Sequence, residues 1–162
     1  MFLALLALVG VSSDISGPQM RPSVGSLSAF EGAYVENKGQ WPAHVYSMAR
    51  TPGLDVWVTR DGATYDFHRY SDSGKERIGH VVRVSFPGLS ENGFRADHAL
   101  AGKLNFIQVG RTKVDTAFRF AEVRGVGRLG QARWTLQDGR PRFDLMLEPR
   151  AKGRATVRYE GI

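Results

Sequence analysis

Residues 33–67, AYVENKGQWPAHVYSMARTPGLDVWVTRDGATYDF, decide the fold of this chain. LDVWVT (54–59) and ATYDFH (63–68) are runs of strand-forming residues on either side of Asp61-Gly62. Asp-Gly between such runs signals a tight hairpin, because glycine accepts positive φ at little cost. Upstream, HVYSMA (44–49) reads as another strand, separated from 54–59 by the turn Thr51-Pro52-Gly53. Before it, Glu36-Asn37-Lys38-Gly39-Gln40 is a polar block. It has the look of an active-site loop but finds no catalytic partner elsewhere in the chain, so it reads as the start of a β-scaffold.

The same grammar continues outward. Val82, Val84 and Phe86 alternate with Arg83 and Ser85; Phe143, Leu145 and Leu147 alternate with Asp144, Met146 and Glu148. Ala155, Val157 and Tyr159 alternate with Thr156, Arg158 and Glu160. A period of two describes strands with one packed face and one wet face. Further strands are expected at 103–108, 117–124 and 132–137. Ser73-Gly74, Pro87-Gly88, Asn92-Gly93 and Asp138-Gly139 mark turns. Beyond residue 30 no capped apolar stripe of helical period occurs. The expectation is an all-β domain over residues 31–162, an antiparallel β-sandwich or open barrel of about 8–10 short strands. Trp57, inside a hairpin, is expected in its core.

The chain has 162 residues, enough for one domain with a proper core. It has no cysteine, which excludes disulfides, thiolate metal sites, cysteine nucleophiles and a lipoprotein-type lipid anchor. Its net charge of +6 is unevenly placed. Residues 1–110 balance, with 10 basic and 10 acidic residues, whereas residues 111–162 hold 12 and 6, so the whole excess lies there. Such asymmetry marks either an anion-binding face or a solvated outer sheet.

FLALLALVGV (2–11) is an uninterrupted apolar run. Ten residues are too few to span a bilayer, which takes about 20. The run fits the apolar core of a secretory signal over residues 1–13, with small residues near Ser13 for cleavage. No Lys or Arg precedes it. Residues 14–30, rich in Ser, Gly and Pro, read as a flexible linker. An exported protein without a membrane span in its mature form is therefore expected.

Several blocks resemble one known family in order and spacing. They are Tyr34 to Gln40 with Met48-Ala49-Arg50, the hairpin 54–67, Gly79 to Phe86, Gly102-Lys103-Leu104-Asn105-Phe106, Phe143 to Pro149 and Val157 to Gly161. The resemblance is to the N-terminal β-domain of bacterial secreted or cell-surface proteins that carry SBBP (β-propeller) repeats. Residues 108–134 depart from that pattern. The resemblance implies a non-catalytic extracellular module with downstream propeller repeats as partners; a cell-surface glycan is the partner that the arginine-rich C-terminal strands would suit. No oligomeric state follows from it.

Candidate chemistry is sparse. The four histidines, His44, His68, His80 and His98, show no standard zinc-enzyme spacing. Asp66 and His68 share a strand face, and His80 on a neighbouring strand would complete a three-ligand set for a metal-dependent hydrolase. Solvated polar residues are the alternative, and no catalytic residue, cofactor or metal is expected. Asp144 and Glu148 would lie about 13 Å apart along a strand, beyond the roughly 5–9.5 Å of glycosidase pairs. Gly125-Val126-Gly127-Arg128-Leu129-Gly130 matches a dinucleotide motif, but it precedes a strand and not a helix. The remaining candidate is a polyanion-binding face of Arg140, Arg142, Arg154 and Arg158 near Trp134, suited to acidic glycan or lipopolysaccharide phosphate. Nucleic acid is not expected as a partner of an exported chain.

Overall fold

The computed structural model describes residue 30 and residues 32–86, 92–107, 114–153 and 156–161. The expected signal segment at 1–13, nearly all of the linker and the turn at Pro87-Gly88 lie outside them. The described residues form ten strands: β1 (Tyr34–Glu36), β2 (Val45–Thr51), β3 (Leu54–Thr59), β4 (Gly62–Tyr70), β5 (Arg77–Ser85), β6 (Phe94–Ile107), β7 (Val114–Gly127), β8 (Gly130–Gln137), β9 (Arg140–Leu147) and β10 (Arg158–Gly161). All pairings are antiparallel, and the curled sheet forms a half-barrel.

The hydrogen-bonded path runs β10-β5-β4-β3-β2-β1-β7-β8-β9, with β6 on the remaining side of β7. Phe120 pairs with both Tyr34 and Ala99, and Glu122 with both Asp97 and Thr135. Thus β1 and β8 share one edge of β7, end to end, while β6 takes the other. The sheet divides there, and β8–β9 folds over the concave face of β2–β5.

Turn chemistry follows the sequence closely. Thr51 pairs with Leu54 across Pro52-Gly53, whose glycine has φ 77°, as a type II turn requires. Gln137 pairs with Arg140 across Asp138 and Gly139, at φ 50° and 71°, the signature of type I′. The Asp61-Gly62 hairpin is displaced by one residue. Thr59 pairs with Gly62, so Arg60 and Asp61 form the turn and Gly62 opens β4. The dinucleotide-like motif is likewise a hairpin, Gly127 pairing with Gly130. A Cβ on Gly130 would lie 2.1 Å from the Met146 carbonyl oxygen, so glycine is needed there for close strand approach.

Two cores lie on opposite faces of the same strands. Tyr34, Ala49, Val56, Val58, Ala63 and Val84 face inward onto Val123, Ala132 and Trp134. Phe86 stacks on Phe143 at 4.5 Å, joining the end of β5 to β9. Trp134 is almost wholly buried, and its truncation to alanine would cost about 3–5 kcal/mol in lost contact and cavity. On the other face Val35, Met48 and Ala117 pack with Phe30, Trp41, Trp57, Leu104 and Phe106. Trp57 belongs to this second cluster and is only partly buried, edge-on to Trp41 at 5.7 Å.

The polar block after β1 has a structural task. Asn37 Nδ2 lies 2.9–3.1 Å from the carbonyls of Trp41, Pro42 and Val45, and Asn37 Oδ1 accepts from the Gly39 amide. Gln40 donates back to the Glu36 carbonyl at 2.7 Å. Glu36 Oε1 accepts from the Phe118 amide, fastening the loop to β7. The block therefore sets the β1–β2 connection and carries Trp41 to the second core.

Candidate functional site

On the face that bears the second core, cross-strand register builds a row of charge. Arg50 on β2 is opposite Asp55 on β3, which is opposite Asp66 on β4. Both carboxylates are buried, at 4% and 1% exposure. Like charges directly opposite one another repel, more strongly away from water, so each needs its own partner. Arg50 grips Asp55 with two bonds, Nε to Oδ1 at 2.8 Å and Nη2 to Oδ2 at 3.0 Å. Arg77 from β5 donates to Asp66 Oδ2 at 2.7 Å. Asp66 Oδ1 has no hydrogen-bond partner among the described residues.

His68 follows Asp66 by two residues and so shares its face. Its Nδ1 lies 3.2 Å from the Asp66 carbonyl oxygen. Oxygens of Asp55 and Asp66 and a ring nitrogen of His68 all lie within 4.8 Å of one another. His80 does not join them. It pairs with Phe67, whereas Asp66 and His68 pair with Val81 and Gly79, so His80 occupies the opposite face. The trio weighed from the sequence is therefore not assembled, and Asp55 stands with Asp66 and His68 in place of His80. Asp55 escaped notice because nothing local marks it as the neighbour of Asp66; only the Asp61-Gly62 hairpin register does.

The basic C-terminal residues are divided between β9 and β10, which do not pair with each other. Arg140 and Arg142 share a face of β9, and Arg142 pairs with Thr135, beside the core residues Trp134 and Phe143 in sequence. Arg158 on β10 is opposite Ser85, next to the core residue Val84. Both arginine faces turn away from the main core, on two strands that are not hydrogen-bonded to each other. Arg154 lies outside the described residues. Arg142 is also engaged, with Nε 3.0 Å from Asp144 Oδ1 and Nη1 3.3 Å from Gln137.

That outer face of β7–β8–β9 is a lattice of alternating charge. Arg124 meets Asp97 and Glu122, Arg133 meets Glu122 and Asp144, and Arg142 meets Asp144. The Arg133 and Arg142 hydrogen bonds hold the Asp144 carboxyl below its ordinary range. Arg95, Asp97, His98, Arg124, Val126 and Gln131 line an open concavity at the end of this lattice. His98 has φ 57°, uncommon for a residue with a side chain, just before the β6–β7 register shifts between Ala99 and Lys103.

Residues 34–127 match the family model of a domain of unknown function, DUF7948. The matched span opens on the first residue of β1 and closes on the last of β7, and it covers more than half of the chain. No curated protein and no solved structure matches the chain.

Proposed function

The chain belongs to the DUF7948 family, and from that premise we propose that it serves as a non-catalytic structural and interaction module of an exported or cell-surface bacterial protein. In this proposal it stands at the front of β-propeller repeats and docks to them through a strand edge. The observation that supports it is the set of unpaired edges. Among the described residues β9, β10 and β6 each pair on one side only, and β9 exposes Met146 and Leu147. Such an edge offers main-chain donors and acceptors for β-addition. The apolar run at 2–11 and the resemblance of the 36–40 block support export and the repeat context.

Fractionation of cells expressing the full gene tests the proposal. A processed product outside the cytosol is expected. An unprocessed, wholly cytosolic product overturns it.

Binding of acidic glycan is the second reading, favoured by the exposure of Arg140 and Arg158. It requires salt-sensitive retention on heparin that falls in the Arg142→Ala/Arg158→Ala pair. Unchanged retention in that pair removes it.

A further inference from the structure

We propose that Asp55, Asp66 and His68 form a binding site for one divalent transition-metal ion, of the zinc or manganese class. This goes beyond the module reading and is independent of it.

The inference starts from Asp66. Its side chain is buried, yet Oδ1 accepts no hydrogen bond among the described residues. A buried carboxylate oxygen without a partner is costly, since it has lost its water and gained nothing in return. Arg77 satisfies only Oδ2. A cation between Asp55, Asp66 and His68 would satisfy Oδ1 and screen the two opposed carboxylates from each other.

The donor set points to the class of ion. Two carboxylates and an imidazole suit zinc, manganese or iron, whereas calcium and magnesium favour all-oxygen ligands. Metal–ligand distances of about 2.0–2.2 Å put neighbouring ligand atoms roughly 3–4 Å apart. The three atoms already lie within 4.8 Å, so small side-chain rotations close the gap.

The surroundings resemble the outer hydrogen bonds that orient metal ligands elsewhere. A carbonyl oxygen can only accept, so His68 Nδ1 is the donor to Asp66, which leaves Nε2 as the ring nitrogen available to a metal. Arg50 fixes both oxygens of Asp55 and Arg77 fixes Oδ2 of Asp66. Each ionised oxygen keeps further acceptor capacity for a metal. Asp55 and Asp66 stand on paired strands of a regular hairpin, a rigid base for a ligand pair. His68, half-buried, closes the set from the solvent side.

The test uses the full chain. Purified protein is stripped with chelator, incubated with zinc or, separately, manganese, desalted and measured by elemental analysis and thermal unfolding. The expected result is retention of about one ion per chain by one of the two metals, with a raised melting temperature that chelator reverses. His68→Ala, at a half-exposed position, should fold and lose at least about ten-fold in metal affinity. Asp66→Asn, which keeps the side-chain volume, should do the same. His98→Ala, on the distant concavity, should retain metal as the parent does. Failure to retain either metal overturns the proposal. So does retention that survives in a folded His68→Ala protein, which would place the ion elsewhere.

Discussion

Two charged clusters lie on sheet faces turned away from the main core, and the fold treats them in opposite ways. On β7–β8–β9 the charges form a lattice in which Asp97, Asp144 and the arginines stay partly exposed and the one buried acid, Glu122, meets two arginines, Arg124 and Arg133. On β2–β5 the carboxylates of Asp55 and Asp66 are sealed in, each held by a single arginine. The register rule that produces both is the same: cross-strand neighbours share a face. What differs is the cover. The second core places Phe30, Trp57 and Met48 on the Asp55 face, and Arg50 sits 5.5 Å over the Phe30 ring. Buried Glu122 has two arginines in place of one, and most charges in the lattice can be exchanged for water. Those beside the aromatic cluster cannot.

The sharpest way to break this contrast is Arg77→Ala. It strands Asp66, 1% exposed, without its only charged partner among the described residues, apart from any bound ion. Measured by urea unfolding in chelator, the expected loss is about 3 kcal/mol. A loss below about 1 kcal/mol would mean that Asp66 regains water freely and is not sealed. Replacing both partners, Arg77→Met with Asp66→Leu, should recover most of that loss, because no buried charge is left uncompensated. A double variant as unstable as the single one would show that packing, not charge, sets the cost.

Arg133→Ala cuts the lattice at its centre, removing contacts to both Asp144 and Glu122. The expected loss is about 1 kcal/mol or less, shrinking as salt is raised. A loss as large as that of Arg77→Ala, and insensitive to salt, would erase the distinction between the clusters.

Much of the fold is legible in the sequence because it is local. The Pro52-Gly53 and Asp138-Gly139 turns and the packing of Val82, Val84 and Phe86 and of Phe143 and Leu145 need only neighbouring residues to be read, and the structure bears them out, whereas Leu147, expected on the packed face, is exposed at the end of β9. The second core is not local. Both faces of β1–β3 are covered, so Tyr34 and Val35, or Ala49 and Met48, are buried on opposite sides. A period-two pattern expects one wet face and misses this. The strands β6 and β7 are longer than their apolar runs suggest, since Gly102 and the register shift between Ala99 and Lys103 interrupt the pattern without ending the pairing. The alternation at 155–159 shrinks to β10 at 158–161, with residue 155 outside the described set. The arginines of 140–158 are divided by the topology: β9 and β10 are adjacent in sequence and lie at opposite ends of the hydrogen-bonded path.

The smallest expected effect concerns proton affinity within the lattice. Asp144 titrates below its ordinary value because it accepts from Arg133 and, secondly, from Arg142. An unfolded aspartate titrates near about 3.9. With the folded value lower, the group favours the folded state fully above the unfolded value. That contribution fades as pH falls through the window between the two values and is gone below the folded one. Removing the arginines one at a time should therefore raise the Asp144 midpoint in a carboxyl NMR titration. Arg133→Ala should raise it more than Arg142→Ala, since the Arg133 bond is the larger cause. Raising the salt should diminish both differences, because the group is open to solvent. Midpoints that stay put in both variants would show that the lattice arginines do not hold this carboxylate, and the contrast would then rest on the sealed pair alone.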